Sequence, residues 1–363
     1  MPELGESGGG TQLELGPAIS RRSTMETMKY SLVELAPVTP GHTKHEAPTR
    51  ALDAAVEAEQ LGYHRIWFAE HHNATGYASQ VPEQLIALAA ERTDHIRVGS
   101  GAVLLNHYSP YSVAERFLQL EALFPGRVDL GLGRATGGPV VDAALQRDRS
   151  AQRRDDYGDQ VQEILAYYHR AFGEKHPFAT LDLTHGIDSV PEVFTLGSSG
   201  NSAGFAGQLG IGYAFAGFIN PRAAKAALRS YRESFTATPF GPGTPQIILA
   251  LNIVAAPTEE EALTLTWPNR AMWADLRAGK PGPVPLLADA ASSLSQEQKD
   301  IPAHVEGLML PQCLAGTPDS LRGQLRPFAE KFGVTEIMVQ DALNDPELRS
   351  RSRALIAEAL AGL

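Results

Sequence analysis

From Lys29 onward, short apolar or β-branched runs alternate with longer segments whose apolar residues recur at helical spacing, a pattern that predicts βα units around a parallel sheet. Strands are predicted over 30–36, 65–70, 95–105, 127–132, 192–196, 212–216, 246–254 and 336–340. Helices are predicted between them, near 49–61, 82–92, 110–123, 202–208 and 221–235, and from 346 to the carboxyl terminus. Val113, Phe117, Leu120 and Phe124 stand at i, i+4, i+7 and i+11, and Val161, Ile164, Leu165 and Tyr168 at i, i+3, i+4 and i+7, so each set forms one apolar stripe suited to packing on a sheet. Eight strands with intervening helices match a (β/α)8 TIM barrel; the alternative is a doubly wound open sheet. A long insertion separates the seventh and eighth strands, and its part over 275–316, with Gly279-Lys280-Pro281-Gly282-Pro283 and a polar run over 292–300, reads as a lid or binding loop.

Residues 1–28 mix Gly, Ser, Glu and Thr and read as a disordered leader, leaving 29–363 as one barrel domain. The leader lacks the basic segment and apolar run of a secretory signal. The longest apolar stretch, 247–257, is interrupted by Asn252 and is too short to span a membrane, so a soluble protein is expected. A formal net charge of −11 repels phosphate backbones and anionic lipid, which argues against nucleic-acid and membrane partners. The single cysteine, Cys313, excludes an internal disulfide and a Cys-rich zinc site, so a reducing cytoplasm is the expected compartment.

Barrels of this kind carry their chemistry at the carboxyl ends of the strands, so the residues there are the candidates. The second strand runs into Glu70-His71-His72-Asn73, four polar residues that are costly to pack in an apolar interior. Two imidazoles there could move protons near neutral pH; the plainer reading is a hydrogen-bonded loop. A metal site is disfavoured, because adjacent histidines on extended chain point opposite ways. The third strand contains Val98-Gly99-Ser100-Gly101-Ala102-Val103, where the glycines mark either tight packing or a ligand's close approach. Arg134, after Gly131-Leu132-Gly133, suits a phosphate or carboxylate, or else a surface ion pair. Gly197-Ser198-Ser199-Gly200-Asn201-Ser202-Ala203 opens a predicted helix and reads as an anion site or a plain turn. Two anion-seeking elements at one end of a barrel point to a nucleotide-type cofactor. Neither a Gly-x-Gly-x-x-Gly fingerprint nor a phosphate-binding Lys-Ser/Thr loop is present, which argues against a Rossmann NAD site or a nucleotide hydrolase.

Taken together, Trp67-Phe68-Ala69-Glu70-His71-His72, the glycine run at 98–103, Pro125-Gly126-Arg127-Val128-Asp129-Leu130-Gly131-Leu132-Gly133-Arg134, Gly197-Ser198-Ser199 and Ala315-Gly316-Thr317-Pro318-Asp319-Ser320 make residues 29–345 resemble the bacterial-luciferase-like family of flavin-dependent monooxygenases. The resemblance implies a (β/α)8 barrel that binds reduced FMN supplied by a separate NAD(P)H:flavin reductase and uses O2 as co-substrate. It would insert one oxygen atom into a small organic substrate, with relatives acting in secondary metabolism. It implies that His71 handles protons at the reactive edge of the isoalloxazine with His72 beside it, and that Glu70 belongs to the cofactor site. Gly101-Ala102 matches a non-prolyl cis peptide under the ring; Arg134, Ser199 and Ser202 match phosphate contacts, with Ser198 and Gly200 in the same loop. Ser198 and Gly133 replace an acidic residue and a cysteine of the luciferase α chain, so the resemblance does not extend to light emission. Phe68, Trp267 and Trp273 are expected to line the cavity, and a homodimer through the helices flanking strands two and three is implied. The alternatives are a deazaflavin (F420)-dependent dehydrogenase on the same barrel and a non-catalytic flavin-binding barrel.

Overall fold

The computed structural model describes residues 28–146, 149, 155–341 and 343–363; the expected leader, apart from Met28, lies outside the described residues. Eight strands alternate with helices: β1 (Lys29–Glu34), β2 (Arg65–Phe68), β3 (Arg97–Ser100), β4 (Val128–Gly133), β5 (Glu192–Gly197), β6 (Gly212–Ala216), β7 (Ile247–Ala255) and β8 (Glu336–Gln340). Each pairs in parallel with the next, β8 pairs with β1, and β7 with β8, so the sheet closes on itself. That closure removes the open-sheet alternative.

Alternation along the strands divides the core in two. Val33, Trp67, Phe194, Ala214, Ile248 and Met338 pack inside the barrel, with the Trp67 and Phe194 rings edge to face at 5.1 Å. Leu32, Ile66, Phe68, Val98, Leu130 and Tyr213 face outward into the layer made with the helices. With both faces covered, the strands read as nearly continuous apolar runs, and this is what made them visible in the sequence. The stripes on α3 (Pro110–Leu123) and α4 (Tyr157–His169) are buried as their spacing requires, through Val113, Phe117, Leu120, Val161, Ile164 and Leu165.

The amino-terminal end of the barrel is plugged by charge. Arg65, 2% exposed, donates to Asp129 at 2.7 Å and to Glu336 at 2.9 Å; Arg97 and the Trp67 indole N–H also donate to Asp129, at 2.5 and 2.9 Å.

The third strand departs from its expected 95–105 span. It breaks at Gly101–Ala102, where the peptide bond is cis, and resumes as Val103–Leu104 against Leu132 and Gly133 of β4. A side chain at Gly101 would place its Cβ 3.0 Å from Trp67 Cβ, so any larger residue here has to push the indole aside.

The connection from β7 to β8 holds helices Glu259–Leu265, Trp267–Arg277, Leu287–Ser293 and Gln296–Lys299, and a short strand Leu314–Gly316 that extends the β7 ladder beside Ile253–Ala255. Among the described residues, no helix is long and apolar enough to cross a membrane. Cys313 is fully enclosed in this region, and burial pushes its thiol up to about 12. The native protein is therefore expected to resist iodoacetamide at neutral pH and to take up one alkyl group only after unfolding, a difference that mass spectrometry reads directly.

Candidate active site

Four successive strand ends meet at one rim. The β2–β3–β4–β5 order puts the chain after Phe68, the Gly101–Ala102 turn, Arg134 and the loop after Gly197 side by side, since Phe68 pairs with Ser100, Leu104 with Gly133, and Gly133 with Leu196. Gly101 and Gly133 let the segments pack closely here: a Cβ on Gly133 would lie 3.1 Å from that of Ala102.

His71 lies just past the end of β2. Its backbone N–H donates to Ser79 O at 2.8 Å, and its ring meets that of Tyr77 with centroids 4.9 Å apart. Ring Nδ1 is buried and lacks a hydrogen-bond partner within the described residues. Burial, and next the like charge of His72, lower its pKa to about 4, so the imidazole is neutral at physiological pH with one N–H and one lone pair. The sign of the acid dependence follows. The unfolded histidine takes a proton below about pH 6.5, whereas the folded one resists until about pH 4. Stability present above the unfolded value is thus lost as pH falls through that window. A His71→Asn variant is expected to lose less melting temperature than the parent between about pH 6.5 and pH 4, as followed by circular dichroism.

Glu70 is engaged by the protein itself. Its buried carboxylate accepts from Leu104 N at 2.9 Å and from the Tyr108 hydroxyl at 2.7 Å, and lies 2.6 Å from His72 Nε2. Three donors occupy it, so it ties the β2 end to the restarted third strand and holds His72. His72 is thereby aimed at Glu70, while His71 keeps its free nitrogen: the adjacent side chains diverge, as extended backbone dictates.

The loop after β5 presents an uncapped helix start. Ser199 is the N-cap residue of α5 (Gly200–Leu209), yet no side chain caps that helix start, which leaves its first N–H groups without a side-chain acceptor. The loop carbonyls are turned to protein donors: Ser199 O accepts from the hydroxyls of Ser202 (3.2 Å) and Tyr213 (3.1 Å), and Ser198 O from Asn220 Nδ2 (3.3 Å). Gly197 is required, because a Cβ there would fall 2.0 Å from Ser202 Oγ, and Gly200 faces open space. Arg134 stands at the neighbouring strand end with its side chain 58% exposed and ion-paired to Asp155 at 2.6 Å. An exposed pair of this kind is worth about 0–1 kcal/mol, so the guanidinium is available to a stronger anion.

Of the expected cavity residues, Phe68 faces the helix layer, and Trp267 packs with Ala271, Ala290 and Leu294. A cleft beside His71 is lined instead by Val33, Leu35, Tyr77, Asn269, Met272 and Gln340. Tyr77, Tyr108, Asn269 and Gln340 carried no sequence signal, because neither their spacing nor their neighbours set them apart from ordinary loop, helix or strand-end residues. Among the described residues no cluster suits a metal ion.

A family model described as luciferase-like monooxygenase matches residues 28–336. The chain is 34% identical over 331 residues to a luciferase-like monooxygenase of Escherichia coli K12, covering 91% of this chain and 96% of that one. Its structure is similar to that of apo-MsnO8, with a TM-score of 0.81, 35% identity and coverage of 92% and 98% of the two chains. The fold is also that of the oxygenating constituent of 3,6-diketocamphane monooxygenase from Pseudomonas putida, a type II Baeyer–Villiger monooxygenase solved with FMN, with a TM-score of 0.68, 20% identity and coverage of 93% and 98%.

Proposed function

This chain belongs to the luciferase-like monooxygenase family, and on that premise we propose that it is the oxygenating component of a two-component system: it takes reduced FMN from a separate NAD(P)H:flavin reductase and inserts one atom of O2 into a small organic substrate. The observation that carries this reading is the convergence at one rim of an uncapped helix start, an exposed guanidinium and a buried imidazole nitrogen without a partner. These residues fit a flavin nucleotide. The N–H groups opening α5, Ser199, Ser202 and Arg134 would hold the phosphate, and the ring would lie against Gly101 and Ala102.

Bound reduced flavin supplies the two electrons that activate O2. The chain's own work is to bind, orient and exclude water. Neutral His71 offers a hydrogen bond without introducing charge into the cavity, and Glu70 fixes the geometry of the two segments that frame it. Met272 of the helix Trp267–Arg277 meets Tyr77, the ring neighbour of His71, and this helix, with 275–316, would act as the water-excluding lid. A homodimer through the helices flanking β2 and β3 belongs to the same proposal.

Two measurements test it. Oxygen uptake with reductase, NADH and FMN, run across aldehydes, aromatics and polyketides, is expected to yield coupled oxygenated product; hydride transfer from reduced deazaflavin F420 without O2 uptake would overturn the reading. Arg134→Ala is expected to weaken FMN about 10–100-fold while leaving riboflavin, which lacks the phosphate, unchanged. Fluorescence titration with both ligands reads that contrast.

A further inference from the structure

Between the helices Trp267–Arg277 and Leu287–Ser293, residues 278–286 form neither helix nor strand, and 275–283 are exposed throughout. A strap of this composition, with two glycines and two prolines over 279–283, lies firmly on the protein only where something ties it down. Three contacts do so. Val284 interrupts the exposed run: it is 6% exposed and shares the cleft beside His71 with Leu35, Tyr77 and Met272.

The second tie is Asn344, 3% exposed in the chain that follows β8. Its Nδ2 donates to Val284 O at 2.6 Å and to Val38 O at 3.1 Å, so one amide bridges the strap to the loop after β1. That loop holds Asn344 in return, since the Thr39 hydroxyl donates to Asn344 O at 3.1 Å. A side-chain amide nitrogen carries two N–H donors, and here both are used on main-chain carbonyls of different loops. The third tie is Gly76. A Cβ there would fall 2.8 Å from Pro283 Cα and 3.1 Å from Gly282 O, backbone atoms that no rotamer change can move aside. Gly76 O accepts from Val38 N at 2.9 Å, and Pro37 pairs with the next residue, Tyr77, whose ring contacts His71. The loop after β1, the His71 loop, the strap and the chain after β8 therefore meet at one point.

Building on the monooxygenase reading, we propose that Asn344 and Gly76 are positioning residues of the lid: Asn344 latches the strap 278–286 to the rim, Gly76 seats it beside Tyr77, and the closed strap shields the flavin ring from water on the side where His71 stands. One hydrogen bond, one valine and one backbone contact make a light tie, which suits a segment that has to open for ligands to exchange. Neither residue belongs to the loop after β5 or lies beside Arg134, so loosening the strap changes access of solvent more than hold on the cofactor.

The full-length parent, Asn344→Ala and Gly76→Ala are compared by two readouts: proteinase K nicking within 276–286, located by mass spectrometry, and iodide quenching of the fluorescence of bound FMN. Both variants are expected to be nicked there about five- to ten-fold faster than the parent and to raise the quenching constant about two-fold, with FMN affinity within about three-fold. Gly76→Ala removes no hydrogen bond and acts only by lifting Gly282 and Pro283, so agreement between the two variants traces the effect to the strap; should Asn344→Ala fail to fold, Gly76→Ala decides alone. A lower melting temperature with nicking and quenching at parent values would give both residues a purely structural role and overturn the inference, as would faster nicking without any change in quenching. FMN affinity separates the two levels: a parent that does not bind FMN sinks the cofactor reading and the shielding with it, whereas a parent that binds FMN, with variants that leave both readouts unchanged, sinks only the latch.

Discussion

His71→Asn is expected to reduce coupled product formation by about 10²–10⁴-fold while leaving FMN affinity within about three-fold of the parent. In the proposed reading the loop after β5 and Arg134, not the imidazole, hold the cofactor's phosphate, so binding and turnover should separate. Asparagine keeps a hydrogen-bonding group at nearly the same place but cannot pass a proton through two ring nitrogens. A loss that asparagine restores relative to alanine would mark a positioning role; a loss common to both marks proton handling. The ionisation argument adds a second readout. With its pKa depressed to about 4, His71 contributes no ionisation of its own near neutrality, so a limb in the parent's rate profile between about pH 6 and pH 8 has to arise elsewhere. Oxygen uptake should fall less than product, because O2 then returns as H2O2 rather than entering the substrate. Parallel loss of FMN binding and of turnover would place His71 in the cofactor cradle and remove it from the proton step.

The eight strands were legible because each is buried on both faces and therefore announces itself as an apolar run between turn residues. Closure was a matter of count and order, and the β7–β8 ladder supplies it. The rim was legible in part: polar residues at a strand end are expensive unless used, so Glu70, His71 and Arg134 stood out. Their division of labour was not, since whether a carboxylate faces a ligand or its own backbone depends on partners far along the chain, here Leu104 and Tyr108. Spacing located the excursion over 275–316, but the side chains that reach the cleft come also from Trp267–Arg277 upstream of it, where helical periodicity shows a face and not what the face covers. Arg65 escaped notice for the opposite reason: at the start of an apolar strand it reads as a surface charge, and only barrel closure buries it.

That burial makes Arg65→Met the second large effect: a stability loss of about 3–5 kcal/mol is expected, measured as a lower urea midpoint and melting temperature. Inside the barrel floor, burial pushes Asp129 up, and Arg65 and then Arg97 overcome it and hold the carboxyl below its ordinary range. Remove Arg65 and Asp129 keeps Arg97 at 2.5 Å, but Glu336, 2% exposed, is left among the described residues with the contact from the Ser31 hydroxyl and without a cation. The penalty should therefore fall mainly on Glu336, and adding Glu336→Gln to Arg65→Met should recover about 1–2 kcal/mol, whereas adding Asp129→Asn, which strands Arg97, should recover less. Because the plug lies at the end of the barrel opposite the rim, folded Arg65→Met is expected to bind FMN as the parent does. The pH dependence carries its own sign. Asp129, depressed in the folded state, contributes stability that is present above the unfolded carboxyl value of about 3.9 and is lost as pH falls through the folded one. Neutralising Glu336 in the Arg65→Met background without any recovery would mean that this carboxyl already holds a proton there, and the cost of the missing guanidinium would then be a packing defect rather than an unpaired charge.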